Sequence, residues 1–471
     1  MVQGKHNPHV VVLPYPSQGH INPLLQFAKR LASKGVKATI ATTKYTVKSI
    51  TVPNVVVEAI SDGFDEGGFA QARNVALFLT SFRTNGSESL SQLIDKFRHS
   101  GTPVTCIVYD SFLPWALDVA KKHGIYGAAF FTNSAAVCST FCRISRGMLE
   151  LPVKNEDLPL LVPGLPPLNC QDLPSFIRLP ESYPAYLTMK LSQFSNVGKA
   201  DWMFVNTFEA LESQVVKNMF QLMPAKLIGP MVPSAYLDGR IGDDKGYGAS
   251  LWRPLSEECR EWLKDKSPQS VAYVSFGSMV SLTDEGMEEM AWGLKESGMY
   301  FLWVLRESEH SKLPKGYREA IKEKGLIVTW CNQLELLAHQ AIGCFVTHCG
   351  WNSTLEGLSL GVPMVAVPQW ADQLTDAKFI EDVWKVGVRP KEDEKGVVRK
   401  QEIVKCLKEV MEGERSQEIR RNTNEWKVIT REAIDQGGSS DKNINDFVTC
   451  LKNAGKNGKV NGYSNGHSYI E

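Results

Sequence analysis

The chain has 471 residues, 43% of them hydrophobic, a length that predicts about two to three domains, each able to bury its own core. Lys+Arg and Asp+Glu both number 52, so no net field draws the protein to nucleic acid or to an anionic membrane. No stretch is long enough to span a bilayer, the first nine residues lack a signal-peptide apolar core, and the ten cysteines are scattered with no CxxC pair, which together predict a cytoplasmic protein with reduced thiols.

Along the chain, short apolar runs rich in β-branched residues alternate with helical stretches, the pattern of α/β folds with parallel sheets covered on both faces. The first series of expected strands lies at 9–14, 37–43, 55–60, 105–110, 127–132 and 202–207. After the first strand, Asn22 is positioned to cap a helix, Pro23 suits its first turn and Gly35 suits its end. That turn reads Pro16-Ser17-Gln18-Gly19-His20-Ile21-Asn22-Pro23 and carries no GxGxxG, which argues against a dinucleotide oxidoreductase. His20 falls at the carboxyl edge of the sheet, where it reads either as a general base or as a turn histidine bonded to nearby backbone. Asp110 ends the fourth run, either facing the same edge or capping the helix near Pro114.

Residues 233–254, rich in Gly, Asp and Pro, are expected to form an exposed linker. A second series follows at 270–277, 300–305, 326–329, 342–347 and 364–368. The predicted organisation is a Rossmann-like N-terminal domain (1–238), a linker (239–253), a second Rossmann-like domain (254–438), a final helix (439–452) and a disordered polar tail (453–471).

Residues 330–373, WCNQLELLAHQAIGCFVTHCGWNSTLEGLSLGVPMVAVPQWADQ, hold the most chemistry. A buried strand at 342–347 is broken by His348-Cys349-Gly350 ahead of a helix expected to start near Asn352 or Ser353, and its free N–H groups suit an anion such as a diphosphate. Ser353 and Glu356 also spell S-x-x-E, so a plain capping box competes with a ligand role. Trp330 is readable as core or rim packing, Asp372-Gln373 as a solvated loop pair, and Ser278 as an ordinary turn hydroxyl after the 270–277 strand. Cys349 beside His348 has no second ligand cluster and is not a metal site.

The whole run resembles the signature segment of plant family 1 UDP-sugar-dependent glycosyltransferases, and the similarity extends over most of residues 8 to 452. The resemblance implies the GT-B architecture, two Rossmann-like domains facing a common cleft with the last helices crossing back onto the first. It implies that Trp330 stacks on uracil, that Gln333 and Glu356 hold ribose, that His348, Asn352, Ser353 and Ser278 contact the diphosphate, and that Asp372 and Gln373 hold the sugar. Trp351 joins this expected donor site. His20 matches the family's catalytic histidine, and Asp110 the aspartate that fixes its tautomer, as in a triad without the serine.

The expected reaction is inverting, metal-independent transfer of glucose from UDP-glucose, a co-substrate and not a cofactor, by a monomer. An aromatic acceptor pocket is expected around Tyr15, Phe112 and Met189, with Trp115, Phe130, Phe131 and Phe141 as further candidates. The closest resemblance is to the subgroup acting on salicylate-like acids, auxins, steroids and terpenoids. Competing readings are a non-catalytic protein of the same fold that binds a small metabolite and a UDP-sugar epimerase.

Overall fold

The computed structural model describes residues 7–249 and 256–457. A seven-stranded sheet is built from β1 (His9–Leu13), β2 (Lys37–Thr43), β3 (Val56–Ile60), β4 (Cys106–Asp110), β5 (Tyr126–Phe131), β6 (Trp202–Val205) and β7 (Lys226–Leu227), in the order β3-β2-β1-β4-β5-β6-β7. A six-stranded sheet follows from β8 (Val271–Ser275), β9 (Tyr300–Val304), β10 (Gly325–Val328), β11 (Ile342–Thr347), β12 (Met364–Ala366) and β13 (Gly387–Val388), in the order β10-β9-β8-β11-β12-β13. Every pairing in both sheets is parallel. β1 is buried along its whole length because both faces are covered: Val11 and Leu13 pack with Phe78, Phe82 and Trp115, while Val10 and Val12 pack with Leu24, Phe27 and Phe130. Two-sided burial is why such strands read as continuous apolar runs.

Each sheet reverses its strand order beside its first strand, and such a switch point opens a crevice at the strands' carboxyl ends. In the first sheet Leu13 of β1 lies opposite Tyr109 of β4, so the loops after Leu13 and Asp110 are neighbours. In the second, Ser275 of β8 lies opposite Thr347 of β11. Residues remote in sequence are thereby brought to one edge.

Three expectations need correction. The first helix spans Gln18–Ser33 with Ser17, not Asn22, at its N-cap; the Ser17 carbonyl accepts from His20 N–H at 3.0 Å and Ile21 N–H at 2.9 Å. The start lies one turn earlier, so His20 sits in the first turn and Pro23 inside the helix. Second, the segment after residue 233 is no free linker: buried Asp244 accepts from Lys29 Nζ (2.8 Å), Gln26 Nε2 (2.6 Å) and Ser234 N–H (2.7 Å), and the Gly248 carbonyl accepts from Thr51 N–H (2.8 Å). Residues 250–255 of that expected linker and domain start lie outside the described residues. Third, the final helix runs Ser439–Asn457, into the stretch expected as tail, of which 458–471 lie outside the described residues.

That final helix returns to the first sheet. Phe447 lies with its ring centroid 5.0 Å from Trp202, 5.0 Å from Phe204 and 6.3 Å from Phe27. Among the described residues no helix is long and apolar enough to cross a membrane.

Candidate active site

Residues from both sheets line one cleft of about 810 Å³. On the first-sheet side, His20 Nδ1 lies 2.6 Å from Asp110 Oδ2, and the Asp110 side chain is fully buried. Asp110 Oδ1 is held by the Phe112 N–H at 3.0 Å, which fixes the carboxylate's orientation. A carboxylate only accepts, so Nδ1 carries the proton and Nε2 keeps its lone pair. Thr132 Oγ1 stands 3.2 Å from the same Nδ1. The turn-histidine and helix-cap readings of these two residues give way to a His–Asp pair at the cleft wall.

Across the cleft, β11 ends at Thr347 and the helix Trp351–Leu360 begins almost at once. The turn is tight enough to hold Cys349, a non-glycine residue, at φ 65°, and Cys349 N–H donates to Thr347 Oγ1 at 3.1 Å. Gly350 is the N-cap, so no Ser353–Glu356 capping box forms and the helix starts earlier than expected. Glu356 instead accepts from Tyr247 Oη at 2.8 Å and from Gln333 Nε2 at 2.7 Å, while Gln333 also donates to Ser353 Oγ at 2.9 Å and accepts from Tyr273 Oη at 3.1 Å. Burial pushes Glu356 up to about 7, against the lowering effect of the Gln333 and Tyr247 bonds. Burial also pushes His348 down to about 4, so this imidazole is neutral at pH 7. Gly277 and Gly350 leave room for its ring, since a Cβ at those positions would come within 2.8 and 2.5 Å of it.

Two donor-site assignments are altered by partners already in place. The Trp351 indole is buried and donates Nε1–H to the Asn206 carbonyl at 2.7 Å, leaving its backbone N–H at the helix start as the part available to a ligand. Gln373 Oε1 accepts from the N–H groups of Gln369 (3.0 Å) and Trp370 (3.1 Å), so only the amide nitrogen remains for a ligand. Trp330, Ser278, Asp372 and Gln373 all line the cleft.

The two sides are linked directly. Asn352 Nδ2 donates to the Gly19 carbonyl at 2.7 Å, from the first turn of one helix to the first turn of the other. In a regular helix the Gly19 carbonyl would accept from the N–H of residue 23, but that residue is Pro23 and has none. The proline frees the acceptor that Asn352 uses.

The acceptor end is aromatic. Tyr15 packs on His20, Phe78 and Phe112 at centroid distances of 5.4, 6.1 and 5.7 Å, and Phe112 lies 4.6 Å from the His20 ring. Met189, Phe176, Tyr186 and Trp370 complete the wall, with Tyr186 stacked on Phe176 at 5.3 Å. Trp115, Phe130, Phe131 and Phe141 pack in the cores instead. Tyr247, Thr132, Lys190, Phe176 and Trp370 were not singled out from the sequence, since their part depends on tertiary contacts that no local pattern encodes. Among the described residues no group of three or more His, Cys, Asp or Glu side chains stands ready to hold a metal ion.

Two parallel Rossmann-like sheets whose switch points share a cleft form the GT-B architecture, and the comparisons with known proteins agree. Residues 185–422 match the family model described as UDP-glucoronosyl and UDP-glucosyl transferase. The chain is 53% identical over 452 residues to UDP-glycosyltransferase 74B1 of Arabidopsis thaliana, covering 94% of this chain and 97% of that one. It is 47% identical to flavonol 7-O-beta-glucosyltransferase UGT74F1 of the same plant, covering 94% and 98%. The crystal structure of Os79 from O. sativa in complex with UDP superposes with a TM-score of 0.90 at 40% identity, covering 94% of this chain and 100% of that one. The chain belongs to plant family 1 of the UDP-glycosyltransferases, in the UGT74 group. It is an enzyme that transfers a glucosyl group from a UDP-sugar to small plant metabolites.

Proposed function

We propose that the protein catalyses inverting, metal-independent transfer of glucose from UDP-glucose to a hydroxyl or carboxyl group of a small hydrophobic plant metabolite in the cytoplasm, as a monomer. The observation that carries this reading is the His20–Asp110 pair at 2.6 Å, with His20 lining the same cleft as the helix N-terminus at Trp351. An acceptor hydroxyl gives its proton to His20 Nε2 while its lone pair attacks the anomeric carbon. The bond from that carbon to the β-phosphate oxygen breaks, and its electron pair leaves with UDP. Asp110 holds His20 in the needed tautomer and stabilises the imidazolium. One displacement inverts the α-linked donor and gives a β-glucoside, or a glucose ester from a carboxylate.

The leaving diphosphate is assigned to the free N–H groups at the start of Trp351–Leu360, with Ser278, Ser353, Asn352 and neutral His348 as hydrogen-bond donors. This donor set holds an anion directly, the basis for expecting no divalent ion. Trp330 would stack on uracil, Gln333 and Glu356 would hold ribose, and Asp372 with the Gln373 amide nitrogen would hold glucose hydroxyls. Incubation with UDP-glucose and a panel of phenols, terpenoids, steroids and aryl acids, read as mass gains of one hexose, tests the reading. Turnover that vanishes with EDTA and returns with magnesium or manganese would overturn the metal-independent part. An α-linked product would overturn the single displacement.

A further inference from the structure

Lys190, on the helix Pro184–Ser192, is 6% exposed yet lines the cleft. Its Nζ lies 4.9 Å from the centroid of the Phe112 ring and 5.8 Å from that of Phe141. Among the described residues it makes no ion pair and its ammonium donates no hydrogen bond; its neighbours are these two ring faces and more distant charges. A cation–π contact offsets part of the loss of water around an ammonium, and an ammonium that faces the cleft without a counter-ion is placed to take one from a ligand. None of the nearby carboxyl groups, Asp372 of the same cleft wall included, forms an ion pair with it among the described residues. Asp376 is buried beside Asp372 and accepts from Ser134 Oγ at 3.0 Å, and burial, then the Asp372 charge, push it well above the usual carboxylate range. Glu212 is turned to the Ala135 and Ala136 N–H groups at 2.9 and 2.8 Å and makes no ion pair with Lys190.

Phe112 relates this cation to the chemistry, because the same ring lies 4.6 Å from His20. Lys190 and His20 therefore flank one aromatic side chain, in a pocket whose wall also holds the rings of Tyr15, Phe176, Tyr186 and Trp370. The missing partner is an anion that reaches the acceptor pocket attached to a flat apolar body. We propose that Lys190 is a specificity-determining residue that binds the acidic group of an aromatic acceptor, so that this site selects aromatic acids over neutral compounds of the same shape. The inference rests on the glucosyl-transfer reading above and narrows its acceptor class.

The test pairs hydroxybenzoates with the matching hydroxybenzamides, which keep the phenol and lose the charge. Wild-type enzyme is expected to show the lower KM for the acid of each pair, and calorimetry on the UDP-loaded protein is expected to show tighter binding of the acid. Lys190→Met should lower kcat/KM for the acids about tenfold to a hundredfold more than for the amides, mainly through KM, as for a lost charge-assisted hydrogen bond. Lys190→Arg should restore the preference. Equal losses on acids and amides, or a weakened affinity for UDP alone, would give Lys190 a structural or donor-side role and overturn the proposal. Wild-type turnover or binding that favours the amides would overturn it without recourse to any variant, while leaving glucosyl transfer intact. Hexose transfer to neither series, with no acid-selective binding, would overturn the assignment of Lys190, whereas glucosyl transfer itself falls only if the whole panel of phenols, terpenoids, steroids and aryl acids gains no hexose.

Discussion

Glu356 shows how a single side chain ties binding to pH. Its carboxyl is pushed up to about 7 by burial, and ribose hydroxyls would donate to its ionised oxygens, so UDP favours the carboxylate and lowers its pKa in the complex. Affinity for UDP is therefore greatest above pH 7 and falls as pH drops through 7 toward the complexed value. Calorimetric Kd values at about pH 8 and about pH 6 should differ more in wild type than in Glu356→Gln, where only the phosphates of UDP still titrate. Equal pH dependence in both would remove Glu356 from the ribose site. Gln373 makes a finer point: its Oε1 is committed to the Gln369–Trp370 turn, so Gln373→Ala should disturb that turn as well as the sugar contact. The discriminating quantity is the ratio of kcat/KM for UDP-glucose and UDP-galactose, expected to fall in the variant; an unchanged ratio would mean that Gln373 does not read the sugar.

At the scale of elements, the helix Gln18–Ser33 is less regular than it need be for stability alone. An interior proline costs a helix up to about 3 kcal/mol, and here the carbonyl it leaves unpaired bonds Asn352 across the cleft. Pro23→Ala should therefore raise the melting temperature or leave it unchanged while lowering kcat, because the restored N–H competes with Asn352 for Gly19. A variant that gained stability and kept full activity would show that the link does not matter for transfer. Tyr247, in the segment after residue 233, is a companion to this bond. Tyr247→Phe removes the hydroxyl on Glu356, leaves the Thr51–Gly248 bond in place, and should change UDP affinity with little change in melting temperature. The sequence showed the turn chemistry around His20 and the strand–turn–helix at 342–360, because those signals are local. It could not show that the Gly-, Asp- and Pro-rich segment after 233, expected as an exposed linker, is tied down at Asp244, since the bonds to Gln26 and Lys29 join residues 218 and 215 positions apart.

For the whole molecule, the longer apolar strands of both sheets were legible as two series, whereas the two-residue edge strands β7 and β13 are too short to leave a pattern. Strand order was not legible. It decides the site, because only the adjacency of β1 with β4 and of β8 with β11 turns separate strand ends into one cleft. The acceptor pocket was the least visible part, being assembled from residues of 15–190 together with Trp370, and aromatic residues read the same in a core and in a wall. The returning helix Ser439–Asn457 belongs to the same long-range level. Phe447→Ala, which removes a ring packed on Phe27, Trp202 and Phe204, should destabilise the protein by about 3–5 kcal/mol and lower its thermal midpoint; an unchanged midpoint would make that helix an accessory.

The central claim is that a base held by Asp110 drives transfer within this cleft, and it is tested most directly by the turnover of His20→Ala with UDP-glucose and a neutral alkyl alcohol, with UDP affinity measured alongside. Such an acceptor cannot arrive ionised, as an aryl acid does. His20→Ala should lower kcat about a hundredfold to ten-thousandfold with the Kd for UDP nearly unchanged. Turnover near that of the wild type would contradict it.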